Sequence, residues 1–285
     1  MSAPSVLIAG CGDVGSRLAT QLLAGGWEVH GLRRDVSRLP DGVVGVAGDL
    51  FNKDCPATWP VGAVDYLVYC AAATDHDEAG YRAAYVQGLQ HVLEWLDDYG
   101  QVPNRLLFVS SSSVYGQQQG EWIDETSPAV AAGYSGRVML EAEQIALNSG
   151  IPASIVRLTG IYGPGREWLL TQVRRGYRVA IDPPLYANRI HADDAAGLMA
   201  CLLEADRRGV ALDDVYIGVD DEPAALADVV GWLREYMGVT EWAEDATVRR
   251  TGSKRCSNAR AKALGWKPKY PSFREGYAAI IEGNC

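Results

Sequence analysis

The chain has 285 residues, 48% of them hydrophobic and 22% charged, which allows a sizeable core in one large α/β domain or two modest ones and argues against wholesale disorder. Lys and Arg number 26 against 36 Asp and Glu, a formal charge of −10, so nucleic acid and anionic membrane are not expected as partners. No apolar run approaches the roughly 20 residues that span a bilayer. The six cysteines form no CxxC pair and no zinc-like spacing, so they read as small buried hydrophobes and no metal site is expected.

The opening MSAPSVLIAG has no basic n-region and no long apolar h-region, the pattern of a cytoplasmic protein. It runs into a strand over 5–9, followed by a glycine turn and a helical pattern over 15–24. Further strands are expected over 28–32 and 43–47. Residues 66–72 are apolar with little alternation, as in a strand covered on both faces. Helical periodicity covers 77–97, with Tyr81, Tyr85, Leu89, Val92 and Trp95 at spacings of three and four. Strands over 105–109 and 153–158 flank a helix over 135–148. This alternation predicts an α/β fold, a doubly wound parallel sheet of Rossmann-like type with right-handed crossovers. After Gly160 the rhythm changes to Gly- and Pro-rich stretches, with a helix over 193–204, a strand over 214–218 and an amphipathic helix over 224–237.

Gly10-Cys11-Gly12-Asp13-Val14-Gly15 is GxGxxG, directly after an apolar strand and directly before a helix. Gly10 would permit the tight turn, Gly12 the approach of backbone to a pyrophosphate, and Gly15 the packing of helix on strand. The helix N-terminus adds free N–H groups for phosphates. These residues are expected to bind a dinucleotide, the alternative being a glycine turn kept for packing alone. An acidic residue at the end of the second strand would hold the ribose 2′-hydroxyl of NAD, but that slot holds Arg33, with Arg34 beside it. One charge-assisted hydrogen bond to a 2′-phosphate is worth about 1.5–3 kcal/mol, roughly tenfold to a hundredfold in affinity. NADP is therefore expected over NAD. The alternative is NAD, with both arginines merely solvated.

Phe108-Val-Ser-Ser-Ser-Ser-Val-Tyr-Gly116, Arg157-Leu-Thr-Gly-Ile-Tyr-Gly-Pro164 and Asn188-Arg-Ile-His-Ala-Asp-Asp194 together resemble the extended short-chain dehydrogenases/reductases of the NAD-dependent epimerase/dehydratase type. The resemblance implies oxidoreductase or epimerase chemistry on a small polar, sugar-like molecule. It also implies a homodimer formed through the helices over 77–97 and 135–148. By the same resemblance Asp49 and Leu50 contact adenine, and Cys70, Ala71, Ala72 and Leu158 line the dinucleotide. The resemblance likewise implies that Ser111 polarises a carbonyl and that Tyr134 is the general acid/base.

Departures accompany the resemblance. The family's catalytic tyrosine belongs to YxxxK, whereas Tyr134-Ser-Gly-Arg-Val138 has valine in the lysine slot. None of the 14 tyrosines is followed by Lys four places on. Arg137 shares a helix face with Tyr134 and can stabilise a tyrosinate, but a guanidinium that stays charged relays no proton. The glycine loop is one residue shorter than the GxxGxxG of extended members, and Gly160 stands where the family has an asparagine. These features look like the family's atypical subgroup, in which active-site sets are often incomplete. Two functions stay open: an NADP-dependent oxidoreductase with Ser111, Tyr134 and Arg137 at its reaction centre, or a sensor or scaffold that keeps the dinucleotide and has lost the chemistry. Arg166, Arg189 and His191 are candidates to meet substrate, with surface ion pairing or a structural histidine as alternatives. Asp193 or Asp194 is expected to cap the helix that follows. A dinucleotide-binding domain is expected over 1–162 and 188–220, and a smaller substrate-binding lobe over 163–187 and 221–285.

Overall fold

Val6, Leu7, Ile8 and Ala9 expose nothing to solvent, so the first apolar run is a strand covered on both faces, as a parallel sheet demands. The computed structural model describes residues 3–243 and 252–285. Its strands are β1 (Ser5–Ala9), β2 (Glu28–Arg33), β3 (Val44–Ala47), β4 (Tyr66–Tyr69), β5 (Arg105–Ser111), β6 (Glu121–Ile123), β7 (Ala153–Leu158), β8 (Gly160–Tyr162), β9 (Arg189–His191), β10 (Val215–Gly218) and β11 (Lys254–Cys256). Seven of them form one sheet in the order β10-β7-β5-β4-β1-β2-β3, and the pairs from β5 across to β3 are parallel. Chain order runs outward from β1 in one direction and from β4 in the other. The winding therefore reverses between them, where such sheets bind ligands at the carboxyl ends of their strands. The doubly wound α/β fold expected from the sequence is the one observed.

The helices are α1 (Asp13–Ala24), α2 (Glu78–Tyr81), α3 (Gly88–Asp98), α4 (Tyr134–Leu147), α5 (Trp168–Arg174), α6 (Ala192–Arg207), α7 (Leu226–Met237), α8 (Ala259–Ala263) and α9 (Phe273–Glu282). In α1 the buried residues Val14, Leu18, Ala19 and Leu22 recur at helical spacing; burying one leucine side chain contributes about 1.5–3 kcal/mol. The single helix expected over 77–97 is interrupted: a wider π-helical turn, Arg82–Gln87, joins α2 to α3. The cause is local. The Tyr69 hydroxyl donates to the Ala84 carbonyl at 2.5 Å, the acceptor that an unbroken α-helix would offer to the Gly88 N–H. Gly88 is small enough for this, since a Cβ there would stand 2.4 Å from that hydroxyl.

The chain divides into two units. The first comprises Met1–Tyr115, Pro128–Arg157 and Ala196–Tyr216, the second Gly116–Ser127, Leu158–Ala195 and Ile217–Cys285. Within the second, Leu170, Val173, Val229, Leu233, Phe273 and Tyr277 make a separate apolar core, and β8–β9 and β6–β11 form two short parallel ribbons. The expectation of six buried cysteines is corrected: only Cys11 and Cys256 are buried, Cys55, Cys70 and Cys201 are half-buried, and Cys285 is exposed. No helix among the described residues is long and apolar enough to cross a membrane.

Candidate functional site

The turn from β1 to α1 takes three residues, and each glycine of the loop has a distinct reason to be one. Gly10 has φ +84°, and a Cβ there would stand 2.6 Å from Ala71 N and Cα. A Cβ on Gly15 would lie 3.1 Å from both the Gly10 carbonyl oxygen and Ile8 Cγ2, so helix and strand meet closely. Gly12 is exposed, with nothing nearer than 3.9 Å to a Cβ built on it, which leaves its backbone approachable. The N–H groups of Gly10 and Cys11 both donate to the Leu32 carbonyl, at 3.1 and 2.9 Å, tying the loop to β2. No side chain caps the start of α1, so its first-turn N–H groups stay available to a phosphate. Asp13 lies in that turn, and Arg17 offsets its charge at 3.0 Å. Val14 is buried beneath the helix. The Cys11 thiol is fully buried, and burial pushes its pKa up, so this residue can offer a ligand its backbone only.

The rest of the expected cofactor set lies along the same strand ends. Arg33 closes β2, half-buried, and its Nη1 donates to the Arg38 carbonyl at 3.2 Å; Arg34 is exposed. The Gly48 N–H donates to the Arg33 carbonyl at 3.2 Å, which brings the neighbouring Asp49 beside this edge. Asp49 Oδ1 accepts the Phe51 N–H at 3.1 Å, and Leu50 is buried with its carbonyl 2.9 Å from His91 Nδ1. The Cys70 N–H donates to the Ala9 carbonyl at 2.8 Å, so Cys70, Ala71 and Ala72 run beside the glycine loop. Leu158 is buried at the end of β7. A glycine-lined loop, an uncapped helix start and a cationic strand end fit a dinucleotide phosphate.

Ser111 ends β5, and its Oγ accepts the Ser113 N–H at 3.1 Å, opening the short turn Ser112–Val114. Tyr134 is the first residue of α4, and its hydroxyl donates to the His76 backbone carbonyl. A Cβ on Gly136 would stand 2.3 Å from the Ser113 carbonyl oxygen, so a glycine two places after Tyr134 is what lets this helix reach the serine turn. Arg137 is exposed one turn along α4, while Val138, in the lysine slot, is only 1% exposed and sits in the core. Behind the turn lies a polar group centred on Glu143, a residue that the motifs did not single out. Glu143 accepts from Arg157 twice (Nε at 2.9 Å, Nη2 at 2.6 Å) and from the Ser110 hydroxyl at 2.5 Å. Arg157 Nη1 donates to the Tyr115 hydroxyl at 2.8 Å. The available signal for Glu143 is a lone carboxylate on the helix stripe of Met139, Ala142 and Ala146.

In the second unit, Arg166 is exposed in the turn after β8, its N–H donating to the Gly163 carbonyl at 2.9 Å. Arg189 is buried, with its guanidinium 5.6 Å from the centre of the Phe273 ring. His191 is fully buried between Tyr270 (4.1 Å) and Tyr162 (5.3 Å), and its Nδ1 accepts the Asp193 N–H at 3.2 Å. The expected helix cap is corrected at Asp194. This residue lies inside α6, and its carboxylate accepts the N–H groups of Lys269 (2.5 Å) and Tyr270 (3.0 Å) from the segment before α9. Burial pushes its pKa up to about 6. Asp220, which the sequence did not single out, is buried beside Arg189, whose carbonyl accepts its N–H at 2.9 Å.

Comparison with known proteins agrees with this geometry. Residues 6–218 match the model of the NAD dependent epimerase/dehydratase family. Among curated proteins, the chain is 27% identical to the 3-diazoavenalumate denitrifying reductase of a Streptomyces species over 95% of its own length and 98% of the relative's. It is 30% identical to protein YeeZ of Escherichia coli K12 over 72% and 74% of the two lengths. A solved epimerase/dehydratase-family structure from Methylobacillus flagellatus superposes with a TM-score of 0.82 at 36% identity over 99% of both chains. The chain belongs to the NAD-dependent epimerase/dehydratase family.

Proposed function

We propose that the protein is a nicotinamide-dependent reductase of a small polar carbonyl compound, sugar-like in the first instance, that takes NADP(H) in preference to NAD(H). The glycine loop carries this reading, because the turn, the close approach to Ala71 and the open Gly12 backbone are each what a bound pyrophosphate requires. The name of the Streptomyces relative, a denitrifying reductase, supports reductive chemistry, though on a diazo group rather than a carbonyl. When bound, the dihydronicotinamide supplies a hydride. The chain supplies everything else. Arg33 and Arg34 meet the 2′-phosphate, Asp49 and Leu50 the adenine, and Cys70, Ala71, Ala72 and Leu158 the dinucleotide's length. Ser111 Oγ hydrogen-bonds the substrate oxygen and polarises the carbonyl. Tyr134 turns its proton from the His76 carbonyl to that oxygen, a transfer worth about 10² to 10⁴ in rate, and Arg137 steadies the tyrosinate left behind. Residues 1–162 and 188–220 serve the cofactor, and 163–187 with 221–285 select the substrate; Arg166, exposed in the turn after β8, is the group it would meet, whereas Arg189 and His191 are buried and hold the fold around it. Val138, buried where the family has lysine, favours a second reading, a dinucleotide-binding sensor or scaffold without turnover.

Titration of the purified protein with NADPH and NADH, followed by protein fluorescence, tests the proposal. NADPH should bind about tenfold to a hundredfold tighter, and Arg33→Ala should remove most of that margin. Equal affinities would withdraw the NADP assignment, and failure to bind either nucleotide would withdraw the reductase.

A further inference from the structure

We propose that the turn over residues 35–39 sets the preference for NADP(H): its backbone fixes Arg33, and it adds Arg38 as a further residue binding the 2′-phosphate. This rests on the reading of Arg33 as a group that meets that phosphate. The turn follows β2 directly, and all of it lies in the first unit.

Its seat is built from glycine. Gly31 of β2 and Gly45 of β3 stand opposite each other in register, and the space that two side chains would take is filled by the turn instead. A Cβ on Gly31 would stand 2.8 Å from Leu39 Cδ2, and one on Gly45 3.1 Å from Val36 Cβ. A side chain at either position would lift the turn off the strands. Asp35 closes the turn: its Oδ1 accepts the Ser37 N–H at 3.2 Å and the Ser37 hydroxyl at 2.6 Å. The Leu39 N–H donates to the Val36 carbonyl at 3.1 Å. A turn held in this way before the cofactor arrives loses little freedom on binding.

What the turn presents is positive charge. The Arg38 carbonyl accepts from Arg33 Nη1 at 3.2 Å, which engages one of the five N–H groups of that guanidinium and leaves four. The Arg38 side chain is exposed. The Ser37 hydrogen bond, and after it the charges of Arg38 and Arg33, hold the Asp35 carboxyl below the usual carboxylate range, so both guanidiniums act on one spot. Arg33, Arg34 and Arg38 against Asp35 leave two positive charges, and a phosphate monoester brings nearly two negative ones. Without Arg38 the balance is one short. The 2′-hydroxyl of NAD carries no charge, so this surplus discriminates between the two nucleotides rather than strengthening both.

The test titrates the full-length protein and its variants with NADPH and with NADH, followed by protein fluorescence. Arg38→Ala keeps the backbone carbonyl that holds Arg33, so it reads the Arg38 side chain alone. It should weaken NADPH about tenfold and leave NADH within about twofold. Arg38→Lys keeps the charge without the planar fork and should stay within about threefold of the parent for NADPH. Gly45→Ala tests the seat: it should weaken NADPH about threefold and spare NADH, with the urea midpoint read alongside to show that the variant folds. Unchanged NADPH affinity in Arg38→Ala, or an equal loss for both nucleotides, would overturn the inference. Because Arg38 is exposed, that variant decides the matter even where Gly45→Ala does not fold. A parent that binds both nucleotides equally is a separate result, which removes the NADP reading and the inference with it.

Discussion

Two buried arginine–carboxylate pairs, one in each unit, are wired in opposite ways. Arg157 and Glu143 share two hydrogen bonds, and each has one further partner, Tyr115 and Ser110 respectively. Arg189 and Asp220 are buried to a similar degree. Yet Arg189 Nη1 and the nearby Tyr162 hydroxyl find no hydrogen-bond partner among the described residues, and neither Asp220 carboxylate oxygen is in hydrogen-bond geometry with Arg189. Burying a charge is tolerated when its partners are in place; otherwise the group adjusts its protonation. The first pair takes the former course. Asp220 takes the latter: burial pushes its pKa up to about 8 even though the Arg189 charge pulls the other way. The lesson is that charge pairing alone does not fix a buried carboxylate; geometry does.

The largest expected effect comes from breaking the wired pair. Glu143→Gln leaves a buried guanidinium without its counter-charge and should cost about 3–5 kcal/mol, read as a lowered midpoint in urea unfolding with little change in slope. A loss below about 1 kcal/mol, the level of a surface pair, would place this pair with ordinary surface contacts and dissolve the contrast.

The two pairs also mark where sequence reading stops. The sheet was legible because β1 and β4 are short runs in which nearly every side chain is apolar, and the glycine loop was legible because its three glycines fall between a strand and a helix. The ribbons β8–β9 and β6–β11 were not, since three residues carry no period. Nor was α9, although Ser272 and Glu275 form a capping box at its start; Arg274, Glu275 and Gly276 dilute its apolar pattern. In the candidate site, Ser111 and Tyr134 came from motifs. Glu143 and Asp220 could not, because their partners lie 14 and 31 residues away in sequence and pairing across strands and helices leaves no local trace. The π-helical turn is of the same kind: its cause, Tyr69, sits at the end of β4, outside the helix.

The next effect in size concerns the loosely wired pair and depends on pH. An unfolded aspartate titrates near 3.9. Between that pH and about 8 the folded chain keeps a proton on Asp220 that the unfolded chain has released, so stability falls as pH rises through this window. Asp220→Asn carries no such proton and should not lose that stability. Above about pH 8 it should be more stable than the parent, on the order of 1–3 kcal/mol, the cost of an unsatisfied buried polar group. Asp194, whose pKa is about 6, shifts stability in the same direction but in both proteins, so the difference between their melting temperatures across pH isolates Asp220. Parallel curves for parent and variant would mean that Asp220 is as well held as Glu143.

The smallest effect sharpens the wired pair itself. Tyr115→Phe removes the acceptor of Arg157 Nη1 but keeps the aromatic ring, whose centre lies 5.0 Å from the guanidinium carbon. Arg157 retains both hydrogen bonds to Glu143, so the expected cost is about 1.5 kcal/mol, the lower end for a hydrogen bond to a charged group. Ser110→Ala acts at the other end, taking one donor from Glu143, at a similar cost. If the ion pair is the structural element and the hydroxyls are accessories, the double variant should lose close to the sum of the two. A double variant that loses much more than the sum, approaching Glu143→Gln, would show that the four side chains act as one cooperative network. The serine turn in front of them would then owe its position to all four side chains together.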